Sequence, residues 1–228
     1  MSVYRYLLFD ADGTLFDYDL AEAKALETAF EQAGLPHSDS AHECYQSINK
    51  QVWLDYENGL LDKQTLKVRR FEMLFDALSQ KADAESFSNT YISQLSQCAY
   101  LFSGAKELLE KLTERYHISI VTNGIADVQY PRLEKSDLLP YIKEIFVSEE
   151  VGYQKPDAAF FEHIFDQLSI QNKSESIIIG DSLTADIKGG QNAGIDTCWF
   201  NPQDTENTTE IRPTYEVSSY DQLLGLLE

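Results

Sequence analysis

The chain has 228 residues, 43% hydrophobic and 25% charged, with 38 acidic against 18 basic side chains and a formal net charge of -20. That excess argues against a protein that grips nucleic acid or anionic membrane by charge, and it admits a small anionic ligand only where local lysines, backbone N–H groups or a cation screen it. The cysteines Cys44, Cys98 and Cys198 form no CxxC pair, and there is neither an apolar run of about 18 residues nor a signal-like start, so the expectation is a soluble cytoplasmic protein without a zinc site.

Tyr6 to Phe9 is a continuous apolar run and reads as a buried strand. It stops abruptly in Asp10-Ala11-Asp12-Gly13-Thr14. Two carboxylates two residues apart, directly after a buried strand, are costly unless a cation lies between them. The pattern then turns helical. Leu20, Ala23, Leu26, Phe30 and Ala33 recur at steps of three and four, and Gly34-Leu35-Pro36 closes the run. Helical patterns continue over Tyr45–Tyr56, Leu66–Leu78 and Ala84–Leu95. With no strand between Asp17 and Ala99, this block cannot belong to an alternating strand–helix core and reads as a separate helical module.

Alternation begins after Phe102. Ser103 is placed to cap a helix over Gly104–Arg115. His117–Val121 is a strand ending in Thr122-Asn123-Gly124, and Pro131 suits the first turn of a short helix towards Asp137. Ile145–Val147 is a strand, Gly152–Asp157 a loop and Ala158–Leu168 a helix. Ser176–Ile179 is a strand ending in Gly180-Asp181-Ser182, followed by a helix over 183–193. Ile195–Phe200 is a strand, 202–213 a polar loop, Tyr215–Val217 an edge strand and Tyr220–Leu227 a terminal helix. Such alternation predicts an α/β fold with a doubly wound parallel sheet, and ligands of such sheets bind beyond the carboxyl ends of the strands. Asp10, Thr122 and Asp181 each follow a strand.

Four pieces need one explanation: Asp10-x-Asp12-x-Thr14, Thr122-Asn123-Gly124, Lys155-Pro156, and Gly180-Asp181-Ser182 with Asp186. Each alone has a plain structural alternative. Thr122 could cap a helix, Lys155 could be a solvated loop lysine, Gly180-Asp181 could be turn chemistry and Asp186 an exposed helix residue. Read chemically, Asp10 can attack phosphorus, and Asp181 with the Asp12 carbonyl and Asp10 would make an all-oxygen Mg²⁺ site. Lys155, the Thr122 hydroxyl and backbone N–H groups near Ala11 and Asn123 would hold phosphate, Asp12 would serve as general acid and base, and Asp186 would support the site from outside. No histidine has an acid–base arrangement, and Trp53, Tyr56, Phe75 and Trp199 read as packing.

In this order and context the four pieces resemble the motifs of the haloacid dehalogenase (HAD) superfamily. The resemblance implies a core over residues 1–16 and 100–228, with an all-helical cap inserted over 17–99. The strings Ser148–Asp157, Asp181–Gly190 and Thr197–Pro202 are similar to the branch of nucleotidases that act on modified pyrimidine 5′-nucleotides. The function this implies is a Mg²⁺-dependent phosphomonoesterase working through an aspartyl-phosphate, with a nucleoside 5′-monophosphate as substrate and no nucleic-acid or membrane partner. Competing readings are a phosphatase of sugar phosphates or phosphoglycolate, a phosphomutase, a haloacid dehalogenase, against which Asp12 and Asp181 count, and a non-enzymatic phospho-receiver, against which the length and the inserted helices count.

Overall fold

The computed structural model describes residues 4–228. Strand β1 (Tyr6–Phe9) comes first and is followed by four helices: α1 (Tyr18–Ala33), α2 (Asp39–Glu57), α3 (Lys63–Ala77) and α4 (Ala84–Leu95). Alternation then sets in with α5 (Ala105–Leu112), β2 (His117–Thr122), α6 (Ala126–Lys135), β3 (Glu144–Val147), the single turn α7 (Ser148–Val151) and α8 (Ala158–Gln167). The chain ends with β4 (Ser176–Gly180), α9 (Lys188–Ala193), β5 (Asp196–Phe200), β6 (Tyr215–Val217) and α10 (Tyr220–Leu227).

Among the described residues the strands form one six-stranded sheet in the order β3-β2-β1-β4-β5-β6, and every pairing is parallel. This is the doubly wound sheet that the alternation predicts. Side chains alternate across it. Leu7 and Phe9 pack with Ile118, Ile120, Ile177 and Ile179 against α5 and α10. Leu8 packs with Val121 and Ile178 against Phe160, Phe161 and Ile164 of α8. Strand β1 lies between β2 and β4, where the strand order reverses, so the carboxyl ends of these three strands open one crevice.

The four helices after β1 share their own apolar core, including Leu26, Phe30, Tyr45, Phe71, Leu74, Phe87 and Tyr91. The chain leaves the sheet and returns to it side by side. The Asp17 N–H donates to Tyr100 O at 3.0 Å and the Phe102 N–H to Leu15 O at 3.0 Å. Among the described residues no helix is long and apolar enough to cross a membrane.

Three local expectations are corrected. Pro131 lies inside α6 rather than in its first turn. Val128 and Gln129 already donate to Ile125 O, so the helix is under way before the proline removes a later bond. Helix α2 starts six residues ahead of Tyr45, because the Ser38 hydroxyl accepts from the Ala41 N–H and caps it. Ser103 does not cap α5; Gly104, at φ 87°, occupies that position. The helix over 183–193 does form, and its first five residues, Leu183–Ile187, are wound as a π-helix.

Candidate active site

The ladder between β1 and β4 continues one residue past the strand, with the Asp10 N–H donating to Ile179 O at 2.9 Å. Asp10 is thereby fixed at the mouth of the crevice, 7% exposed. Lys155 is fully enclosed. Its Nζ donates to Asp10 Oδ1 at 2.6 Å, to Asp186 Oδ1 at 2.6 Å and to Val121 O at 2.7 Å. The other Asp186 oxygen accepts the Ser182 N–H at 3.0 Å, which ties the turn after β4 to the π-helical segment. One carboxylate oxygen from each of Asp10, Asp181 and Asp186 lies within 4.8 Å of the others.

Two glycines permit this crowding. A Cβ on Gly13, itself at φ 75°, would stand 2.3 Å from Asp181 Oδ2, and a Cβ on Gly180 would stand 2.2 Å from Asp186 Cγ. The electrostatics show an incomplete balance. Burial pushes the Asp10 carboxyl up to about 7; Lys155 pulls against this, and the charges of Asp186 and Asp12 add to it. Although burial disfavours the ammonium, Asp10 and Asp186 hold the Lys155 proton well above the usual lysine range. One ammonium faces three carboxylates, and the donor set is all oxygen. That chemistry fits a hard divalent cation such as Mg²⁺.

The remaining residues singled out in the sequence fall around this trio in different ways. Asp12 lines the same cavity, but its carboxylate is held from α6. Gln129 Nε2 donates to one oxygen at 2.6 Å and the Arg132 guanidinium pairs with the other. Thr122 is buried on the cavity wall, and its hydroxyl accepts the Gly124 N–H at 2.9 Å, a bond within the turn after β2 that does not cap α6, whose N-cap is Ile125. The Asn123 side chain clasps the backbone of Lys155 at both ends, at 2.7 Å and 2.9 Å. Ala11 is fully buried beneath the loop. Asp186, expected outside the ligand set, stands within the acidic trio.

One cavity of about 620 Å³ joins this cluster to the inserted helices. Tyr18, Asp19 and Glu22 of α1 and Gln46, Asn49, Lys50, Trp53 and Glu57 of α2 line its far wall. Trp53 is therefore a wall residue rather than simple packing. Trp199 lines the cavity too, and its indole N–H donates to Asp181 O at 2.8 Å, which steadies the loop bearing Asp181. Sequence reasoning missed Gln129, because Pro131 put the expected helix start after it, and Arg132, because that shortened helix gave it no partner towards Asp12. It also missed Glu22, although an acid among Ala21, Ala25 and Leu26 on the buried face of α1 was a readable signal.

The model of the family described as haloacid dehalogenase-like hydrolase matches residues 7–200. The chain is 44% identical to the pyrimidine 5′-nucleotidase PynA of Streptococcus pneumoniae, over 99% of this chain and 95% of that protein. It is 33% identical to the pyrimidine 5′-nucleotidase YjjG of Escherichia coli, over 98% of both. The crystal structure of the HAD-hydrolase YfnB from Bacillus subtilis, bound to magnesium and described as revealing interdomain movement, superposes with a TM-score of 0.93 at 40% identity, covering 99% of each chain.

Proposed function

The chain belongs to the haloacid dehalogenase-like hydrolase family, and on that premise we propose that it is a Mg²⁺-dependent phosphomonoesterase whose preferred substrates are pyrimidine nucleoside 5′-monophosphates. The observation that carries the reading is Lys155 bridging Asp10 and Asp186 beside Asp181, at one end of a cavity that runs on to α1 and α2. The similarity to PynA and YjjG supports the choice of leaving group.

In this reading Asp10 is the nucleophile. Its carboxylate attacks phosphorus, the bond to the ester oxygen breaks, and an aspartyl-phosphate forms that water then hydrolyses. Lys155 holds the Asp10 carboxylate in place and offsets the charge of the incoming phosphate. The Thr122 hydroxyl and the backbone N–H groups around Ala11 and Asn123 take phosphate oxygens. Asp12 protonates the leaving oxygen and later takes a proton from the attacking water, which requires its side chain to turn from Gln129 and Arg132 towards the cavity. Asp10, Asp181 and the Asp12 carbonyl would hold Mg²⁺, with Asp186 supporting them. The ion, when bound, supplies the positive charge that lets a carboxylate approach a phosphate dianion. Residues 17–99 act as a cap over the 1–16 and 100–228 core and read the leaving group.

A phosphate-release panel tests this. The chain should turn over dUMP, dTMP and UMP with higher kcat/KM than phosphoglycolate or a hexose phosphate. If either of the latter leads by tenfold, about 1.4 kcal/mol of transition-state preference, the nucleotide reading falls and the phosphatase reading stands. Asp10→Asn keeps the shape and removes the nucleophile, so turnover should drop by about three orders of magnitude or more. A loss of only tenfold would mean that another group attacks.

A further inference from the structure

Most of the far wall of the cavity is ordinary polar surface, but one charged group there is buried and positioned. Glu22 is 3% exposed, sits on the inward face of α1 and still lines the cavity that contains Asp10 and Lys155. Asn49 Nδ2 donates to Glu22 Oε2 at 2.9 Å and also lies 3.4 Å from the Tyr18 hydroxyl. The Asn49 oxygen in turn accepts from Arg70 Nη1 at 3.1 Å. Arg70 is fully buried, with its guanidinium 4.9 Å from the centre of the Tyr91 ring. The amide therefore stands between guanidinium and carboxylate. Arg70 fixes which way Asn49 faces, and Asn49 fixes Glu22.

Such a relay is an expensive way to hold helices together, since apolar side chains of the same volume do that at least as well. It is an effective way to aim a hydrogen-bond acceptor. A carboxylate offers about four lone-pair positions, and the bonds from Asn49 and Tyr18 leave some of them for a ligand. Trp53, one turn beyond Asn49 on α2, lines the same wall; the Lys63 ammonium lies 4.4 Å from its ring centre, and the part of the indole that meets the cavity is an aromatic surface against which a planar ring can pack.

We infer that Glu22 is a specificity-determining residue that accepts the imide N3–H of a uracil or thymine ring stacked towards Trp53, with Asn49 and Arg70 as its positioning residues. The inference rests on the nucleotidase reading and deepens it, by naming the group that tells such a base from a leaving group without an N–H. No family motif covers Glu22, Asn49 or Arg70; they meet only through the packing of α1, α2 and α3.

The test uses the full chain with Mg²⁺ and three substrates: dUMP, N3-methyl-dUMP and 2-deoxyribose 5-phosphate. For the wild type, methylation of N3 should lower kcat/KM by about tenfold or more, because it removes the one N–H of the ring and sets a methyl group against the buried carboxyl oxygen. In Glu22→Gln, the side-chain oxygen stays on Asn49 and an N–H is turned towards the ligand. The ratio of dUMP to N3-methyl-dUMP should then shrink to within about threefold. The wild-type arm needs no variant to fold. A wild type that handles dUMP and its N3-methyl form alike overturns the inference. So does a Glu22→Gln variant that keeps the full ratio, or one that loses all three substrates in equal proportion, which would make Glu22 structural. A wild type with no preference for dUMP over 2-deoxyribose 5-phosphate overturns the nucleotidase reading itself. A preference that survives Glu22→Gln overturns only the assignment of Glu22.

Discussion

Lys155 and Glu22 are both buried charges, and their surroundings treat them in opposite ways. Lys155 meets Asp10 and Asp186 at 2.6 Å each, so its ammonium is retained against burial. Glu22 has only an amide and a phenol against it, with the Arg70 guanidinium one residue removed. Burial pushes its carboxyl up to about 7, against the pull of Arg70 and hydrogen bonds from Tyr18 and Asn49. The consequence for stability has a definite sign. Unfolded, the group titrates near 4.5; folded, near 7. Between those values the folded chain binds the extra proton, so this contribution is fully present below pH 4.5 and is lost as pH rises through 7. Glu22→Gln has no proton to lose. Its unfolding free energy, measured by urea titration, should gain on the wild type steadily across that window, by on the order of 3 kcal/mol once pH exceeds 7. A constant difference between the two proteins over the same range would show that Glu22 carries its charge in the fold without penalty.

At the scale of elements, α6 puts Val128 into the apolar core of the inserted helices and holds Asp12 through Gln129 and Arg132, and its start is held from outside. Its N-cap residue Ile125 supplies no side-chain bond. The Glu149 carboxylate of α7 does so instead, accepting the Ala126 N–H at 2.7 Å while its other oxygen takes Lys67 of α3 at 2.7 Å. One side chain thus fastens α6, which holds Asp12 through Gln129 and Arg132, to an inserted helix. Glu149→Gln weakens both contacts. The pair with Lys67 is partly exposed and the helix-end contact adds a similar amount, so the loss should be about 1 to 2 kcal/mol. In a calorimetric scan that is a fall of roughly 2 to 8 °C in Tm for a chain of this size. An unchanged Tm would mean that neither contact persists in solution. The same helix shows where the sequence could be read and where it could not. Asp10, Thr122 and Asp181 were legible because each breaks off an apolar central strand at its carboxyl end. Gln129 was hidden by Pro131, whose usual place is a first turn and which here sits past the middle of α6, while Arg132 fell inside the expected helix without any sign that it faces Asp12. The wall formed by Gln46, Asn49, Lys50, Trp53 and Glu57 follows the 3.6 period of α2, but it overlaps the buried face through Asn49 and carries no distinct pattern of its own. Only the packing of α1 and α3 against α2 decides which side meets the cavity.

For the whole molecule, charge is the governing quantity. A net charge of -20 is spread over the chain, and at the carboxyl end of the sheet Asp10, Asp181 and Asp186 meet a single ammonium. The fold places these groups there through β1, β4 and the turn after β4, so their mutual repulsion is a cost to the folded state and absent from the unfolded one. Anything that binds the folded trio and not the unfolded chain adds stability by mass action, about 2.7 kcal/mol at a hundredfold excess over Kd. Mg²⁺ at millimolar concentration should therefore raise Tm by several degrees, and excess EDTA should return it to the metal-free value. An equal ionic strength of NaCl should reproduce only the smaller part of the rise that comes from screening. Asp181→Asn separates the two effects. It takes one charge from the trio, so the metal-free protein should melt no lower than the wild type, while the specific response to Mg²⁺ should largely disappear. A variant that melts lower and still responds fully to Mg²⁺ would place the ion elsewhere and leave Asp181 with a purely structural part in the loop that Trp199 holds at 2.8 Å.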